Sequence, residues 1–236
     1  MSSYDLSSEL ISYWDENKMA HPLGKADWTD RDRIKYIVET YSRRYDMLFW
    51  KNLVELVGTQ KRDVIVDFGC GPGLFLVDAS NKFAATRLIG LDESREMLDQ
   101  AKIFIDERTS AVSYELTVTD FNEVEIPIPH SSVDLAFCGF MLHEMASPQN
   151  LVEQASRTLR SGGKYIVYDW ISGNEEMFVR KMTEQGMSHE QARLRYPHMC
   201  KHSLDDIIGL MEAASLKDVK GIAVNDIRGL VVGLMK

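Results

Sequence analysis

Between residues 62 and 170, short apolar runs alternate with longer segments whose apolar positions recur every three or four residues. The short runs fall at 63–67, 88–92, 112–117, 133–138 and 164–169, and they read as buried strands. The longer segments at 73–83, 94–106 and 148–159 carry the helical period. "RSGG" at 160–163 predicts a helix stop, because glycine accepts the left-handed geometry of a C-cap. A further helix is expected at 203–214. Strands at 219–224 and 229–235, joined by a polar turn at Asn225 and Asp226, predict a closing antiparallel hairpin. The alternation implies an α/β fold with a doubly wound sheet of seven strands, mostly parallel. Ligands of such sheets sit outside the carboxyl ends of the strands. The loops after Asp67, Asp92, Thr117, Cys138 and Asp169 are therefore the ones that matter.

Two regions lie outside the alternation. Residues 1–60 read as a helical cap, with Ile34, Val38, Tyr41, Tyr45 and Leu48 at helix spacing and with Trp14, Trp28 and Trp50 along it. Such a cap packs on the sheet edge, and it can also serve as a lid over the ligand cleft. Residues 61–236 form the main domain. Within it, 171–202 reads as a helical insertion, an extra helix followed by the loop "RYPHMCKH", which makes a second wall for a substrate pocket.

A chain of 236 residues, 44% hydrophobic, suits one α/β domain with an appended cap. A formal net charge of −9 disfavours nucleic acid, since binding phosphates calls for a basic surface. No apolar run reaches the length of a membrane span, so no membrane partner is expected. The first residues lack the basic and apolar regions of a signal peptide, and three widely spaced cysteines fit a reducing compartment. The expectation is a cytoplasmic protein, a monomer or a homodimer.

The chemistry concentrates in "VDFGCGPG", where Asp67 precedes Gly69, Cys70, Gly71 and Gly73. A dinucleotide turn reads G-x-G-x-x-G, but Leu74 stands where its last glycine belongs. Asp67, Asp92 and Asp120 fall at or just past the carboxyl ends of strands. Three acids converging on one cleft repel a pyrophosphate and favour a ligand with positive charge and hydroxyls. S-adenosylmethionine, with its sulfonium, ammonium and ribose diol, fits. Glycines let the backbone approach it closely, and an acid ending the second strand can accept both ribose hydroxyls. The alternative use of these acids is helix N-capping, to which Asp120 is the most open.

The chain here resembles the class I S-adenosylmethionine-dependent methyltransferases, in the small-molecule branch similar to the ubiquinone and menaquinone C-methyltransferases. The resemblance rests on "VDFGCGPG", "IGLDESREMLDQAK", "TDF" at 119–121, and "VDLAFCGFMLHEM" followed by "LRSGG". It covers about 63–163 well and the final hairpin in outline. It implies a Rossmann-like fold, S-adenosylmethionine as cofactor with S-adenosylhomocysteine as product, and transfer of a methyl group to O, N, C or S of a small-molecule acceptor by in-line displacement. It further implies that Asp67, Gly69, Cys70 and Gly71 line the methionine moiety. Asp92 would hold the ribose, with Glu93 beside it and Met97 near adenine. Asp120 would meet the adenine amino group and Phe121 would border the ring. Cys138, Gly139 and Phe140 would run under the sulfonium, although the family often has a polar residue where Gly139 stands.

An acceptor that must lose a proton needs a base. His143 is the first candidate, for its position after the fourth strand and its pKa near neutrality, and related enzymes often carry a histidine here, frequently as a structural or cofactor-side residue. Glu144 is a weaker one. Tyr45 and Asp46 resemble a tyrosine–aspartate pair that lies over the cofactor in this family. Tyr168, Asp169 and Trp170 end the fifth strand, Asp169 as a base or cation partner and Trp170 as a wall. In an extended "HMCKH", His198, Cys200 and His202 would share a face, but no fourth ligand is near in sequence, so a structural loop or pocket lining is expected and no metal. The absence of a [DNS]-P-P-[YFW] motif disfavours DNA bases, and no paired-glutamate loop of the arginine methyltransferases is present. The competing readings are an S-adenosylmethionine-binding protein without turnover, a non-methylating enzyme using the same cofactor, and an NAD-dependent reductase.

Overall fold

The structure, a computed structural model, describes residues 31–110, 112–122 and 125–236. Trp14, Trp28 and the rest of the expected cap before residue 31 lie outside the described residues. Helices α1 (Arg31–Glu39), α2 (Tyr41–Arg44) and α3 (Met47–Val57) lead into the sheet. Then follow β1 (Val64–Phe68), α4 (Leu74–Phe83), β2 (Arg87–Asp92), α5 (Arg95–Arg108), β3 (Ser113–Val118) and β4 (Val133–Gly139). A short 3-10 turn, Leu142–Glu144, precedes α6 (Pro148–Thr158) and β5 (Leu159–Trp170). The chain continues through α7 (Glu175–Glu184), α8 (His189–Met199) and α9 (Leu204–Ala213) to β6 (Lys217–Asn225) and β7 (Arg228–Leu234).

The strands form one seven-stranded sheet in the order β3-β2-β1-β4-β5-β7-β6. Pairing is parallel except where β7 runs antiparallel to β5 and β6. The strand order reverses between β1 and β4, which places the ligand crevice outside their carboxyl ends. Both faces of the central strands are buried, as helices on both sides require. Ile65, Leu135, Phe137 and Ile166 pack toward α3 and α4, while Val66, Ala136 and Val167 pack toward α6 and α9.

Two expectations are corrected. First, "RSGG" is not a helix stop. Helix α6 ends at Thr158, and Leu159 is already extended with φ −72° and ψ 134°. Val133 pairs with Leu159 and Leu135 with Lys164, so 160–163 bulges out of the ladder. Gly162 takes φ +81° there, and a Cβ on Gly163 would lie 2.8 Å from the Arg160 carbonyl oxygen. The glycines serve a strand bulge. Second, the region 171–202 holds two helices, and "RYPHM" belongs to α8. A capping box between Ser188 and Gln191 starts this helix, and Pro197 is accommodated inside it. His198 therefore lies in the last turn of α8 and Cys200 is its C-cap, so the three ligand-type residues do not alternate along an extended strand.

Helix α3 and the segment before it are held to the sheet. Phe49, Leu53 and Val57 are fully buried, and Asp46 caps α3 by accepting from the Phe49 amide at 2.8 Å. The Tyr168 hydroxyl donates to the Arg44 carbonyl at 2.9 Å. Arg228, on β7, donates to the carbonyls of Arg43 and Arg44 at 3.1 and 2.8 Å and to Asp46 Oδ2 at 3.3 Å. Replacing Arg228 with alanine removes these charge-assisted bonds. A loss of about 2 kcal/mol in unfolding free energy is expected from urea denaturation.

Candidate functional site

The turn after β1 is built on left-handed backbone. Gly69, Gly71 and Gly73 have φ of +76°, +51° and +73°. The amides of Gly69 and Cys70 donate to the Leu91 carbonyl at 2.8 and 2.9 Å, which ties the turn to β2. Asp92, at the end of β2, completes the link. Its Oδ2 accepts from the Gly71 amide at 2.8 Å and its Oδ1 from the Ser94 amide at 2.9 Å. Ser94 in turn caps α5 through the Met97 amide. One carboxylate thus positions both the glycine turn and the next helix. Each of its oxygens keeps room for one more donor, such as a ribose hydroxyl. Burial pushes the Asp92 carboxyl up to about 6, against the amide bonds from Ser94 and Gly71 that lower it.

Asp67 is 1% exposed, and its Oδ1 has no hydrogen-bond partner among the described residues. Burial first, and then the charge of Asp92, holds its pKa well above the usual carboxylate range. A buried carboxylate oxygen left without a donor is satisfied by an ammonium or a hydroxyl, and is opposed by a phosphate. The donor set therefore fits a cationic nucleoside ligand. The surroundings of Gly71 fit one too: a Cβ there would meet only the Met97 sulfur, at 4.0 Å.

The remaining residues expected at the cofactor stand on β4, on α5 and on the loops after β1, β2 and β3. Glu93 is half-buried beside Asp92. Met97 and Phe121 are buried, and Cys70 and Cys138 are buried free thiols. Asp120 does not cap a helix. Its Oδ1 accepts from the Asn122 amide at 2.9 Å in a local turn. Met141, which the sequence reading did not single out, lies over Gly69. A Cβ on that glycine would sit 2.5 Å from its sulfur.

The cap reaches the site through Tyr45. Its ring centroid lies 6.0 Å from that of Phe140 and 5.8 Å from that of Tyr168. A Cβ on Gly139 would lie 2.5 Å from the Tyr45 hydroxyl oxygen. The tyrosine hydroxyl thus stands where a side chain at position 139 would begin. Phe140, with φ +54°, is held in the left-handed region, and its amide donates to the Tyr168 carbonyl at 2.8 Å. Trp170 stands 5.1 Å from Phe140, centroid to centroid.

His143 and Asp169 meet because β4 and β5 are neighbours. Asp169 is 2% exposed, and its Oδ1 lies 2.7 Å from His143 Nδ1 while its Oδ2 accepts from the His143 amide at 3.1 Å. On the other side, His143 Nε2 lies 3.4 Å from Glu144 Oε1. Burial alone would lower the His143 pKa. The charge and hydrogen bond of Asp169, then those of Glu144, overcome it and push it up to about 10. Both ring nitrogens face carboxylates, so this arrangement presents no free lone pair for taking a substrate proton. Asp169 is engaged on this side by His143 and accepts from the Trp170 amide at 2.7 Å. Glu144 also reaches His198, with Oε2 3.2 Å from Nε2. The Nε2 atom of His202 is buried without a hydrogen-bond partner among the described residues.

Comparison with known proteins agrees with this geometry. Residues 66–167 match the family described as a methyltransferase domain. An uncharacterised chloroplastic methyltransferase of Arabidopsis thaliana is 38% identical over 108 residues, 44% of this chain and 30% of that protein. Demethylmenaquinone methyltransferase of Symbiobacterium thermophilum is 30% identical over 107 residues, 44% of this chain and 41% of that protein. The chain thus spans less than half the length of either relative. Among solved structures, a methyltransferase from Aquifex aeolicus described as dependent on S-adenosylmethionine superposes with a TM-score of 0.64 at 18% identity, covering 88% of this chain and 99% of that one. The fold, the glycine turn and the acids around it define a class I S-adenosylmethionine-dependent methyltransferase domain. Residues 66–167 match that domain, and S-adenosylmethionine is the cofactor of its class.

The ribose-binding role expected of Asp92 would give cofactor binding a pH dependence. In the free site its carboxyl is neutral below about 6 and ionised above. The ribose role expected of Asp92 calls for the ionised form, so binding in that role excludes a proton below that pH. Affinity for S-adenosylhomocysteine is expected to be flat above pH 7 and to fall by up to about tenfold per unit below 6, read by calorimetry across pH.

Proposed function

We propose that the protein transfers a methyl group from S-adenosylmethionine to a small, partly apolar acceptor by direct in-line displacement. The observation that carries the reading is the orphaned Oδ1 of buried Asp67 beside Asp92, at the point where the strand order reverses. When bound, the cofactor supplies a methyl group already activated by its sulfonium. The chain's own residues then bind and orient. Asp92 accepts the ribose hydroxyls and Asp67 accepts from the ammonium. Asp120 and Phe121 border the adenine. Tyr45, Gly139 and Phe140 wall the transfer site and exclude water. Fixed orientation supplies much of the rate for such a displacement.

Two features support the acceptor class. Aromatic rings from the cap, the β4 loop and the end of β5 (Tyr45, Phe140, Tyr168 and Trp170) converge beside the transfer site. The relative from Symbiobacterium is named a demethylmenaquinone methyltransferase. The net charge of −9 opposes nucleic acid as substrate. In this reading, residues 1–60 act as the lid and 171–202 as the far wall of the acceptor site. Release of S-adenosylhomocysteine is the test, with a panel of hydroxylated apolar ring compounds set against DNA and RNA. Turnover with the ring compounds alone is expected. Turnover confined to nucleic acid would overturn the proposal.

A further inference from the structure

The donor atoms of His143, Glu144 and His198 all lie within 4.8 Å of one another. They come from two separate parts of the chain. His143 and Glu144 stand on the 3-10 turn after β4, and His198 on the last turn of α8. The Nε2 atom of His143 is 3.4 Å from Glu144 Oε1, and that of His198 is 3.2 Å from Glu144 Oε2. Ligands held about 2.0–2.1 Å from a tetrahedral zinc ion are about 3.3 Å apart. The nitrogens of His143 and His198 each stand at about that spacing from an oxygen of Glu144, Oε1 and Oε2 respectively.

Asp169 adds a feature that ion pairing alone does not require. It takes the far nitrogen of the His143 ring at 2.7 Å and the backbone amide of the same residue at 3.1 Å. A carboxylate on the far nitrogen fixes the ring and its tautomer, with the Nε2 lone pair directed away, here toward Glu144. In the ion pair a proton fills the space between His143 Nε2 and Glu144 Oε1; once the ring gives up that proton, two acceptors face each other and a metal ion can take its place. Access matters as well. His143 and Glu144 are 6% and 26% exposed at the side chain, whereas His198 is 52% exposed, so the group is closed on one side and open on the other.

We infer that His143, Glu144 and His198 bind one divalent transition-metal ion of the zinc or ferrous kind, with Asp169 holding the His143 ring in place. Two imidazoles and one carboxylate suit these metals, whereas magnesium and calcium prefer oxygen ligands throughout. The ligand set departs from the expectation for "HMCKH". Of that segment only His198 takes part, because α8 carries it to the β4 turn while Cys200 is buried in the small core of α7 and α8. The site lies beyond the carboxyl ends of β4 and β5. Its function there, orienting an oxygen of the acceptor, rests on the methyltransferase reading. Metal binding itself does not.

The test uses the full chain after removal of metal by a chelator. Cobalt(II) is titrated and followed by its visible absorption, and zinc(II) is measured in competition with a coloured chelator. One equivalent is expected in the wild type. Affinity should fall at least about tenfold in His198→Ala and in Glu144→Gln, both at partly exposed positions. Binding of S-adenosylhomocysteine is measured on the same samples and is expected to be unchanged in His198→Ala. Failure of the wild type to take up either metal, or uptake as tight in both variants, would overturn the metal site. Loss of cofactor binding alone would instead count against the methyltransferase reading, so the two failures are separable.

Discussion

Replacing Asp92 with alanine is expected to weaken S-adenosylhomocysteine binding by about a hundredfold or more. Two ribose hydroxyls donating to an ionised carboxylate contribute about 1.5–3 kcal/mol each, and 1.4 kcal/mol is a factor of ten. A second effect adds to this loss. The amides of Gly71 and Ser94 give up their partners, at 2.8 and 2.9 Å, so the glycine turn and the start of α5 both loosen. Asp92→Asn separates the two contributions only in part, because its amide group turns a donor toward one of those backbone donors. Calorimetric titration of the folded variant is the measurement. A change of less than threefold would show that the ribose is held elsewhere.

Gly73→Ala is expected to cost about 3 kcal/mol of stability, the largest effect on folding among these substitutions. The residue precedes α4 with φ +73°, where any Cβ is strained. The added Cβ would also stand 2.8 Å from the Cβ of Ala101 and 3.1 Å from its Cα, and backbone does not give way as a flexible side chain does. A drop in the urea midpoint is the readout. Adding Ala101→Gly should make the pair less destabilised than the sum of the single changes, since the two positions touch. Gly71 gives the contrast. With open space around it, its substitution is expected to act on cofactor approach more than on packing. The glycines of one turn therefore divide their work: Gly73 brings α4 against α5, and Gly71 leaves room for the ligand.

That division explains what the sequence made legible. The turn, the strands around it and the acids at their ends are local patterns of spacing and residue type, so the sheet and its cofactor crevice follow from the chain directly. Asp67 before the glycines is explained by its orphaned buried oxygen, which wants a cation or a hydroxyl. Other features are tertiary. Asp169 finds His143 across 26 residues only because β4 and β5 pair, and His198 joins them only because Pro197 is tolerated inside α8. The Tyr45 hydroxyl fills the place left by Gly139 across the cap interface, which no spacing along the chain reveals. "RSGG" misled for a physical reason. A left-handed glycine suits a strand bulge as well as a helix end, and here Leu159 is extended before the glycines are reached.

The central claim, that the crevice beside Asp67 and Asp92 holds a cationic nucleoside, is tested most directly by calorimetric titration of the wild-type chain with S-adenosylmethionine, S-adenosylhomocysteine and NADH. Micromolar binding of the first two at one per chain, with none of NADH, is the predicted result. Binding of NADH, or no binding of either nucleoside by folded protein, would contradict it.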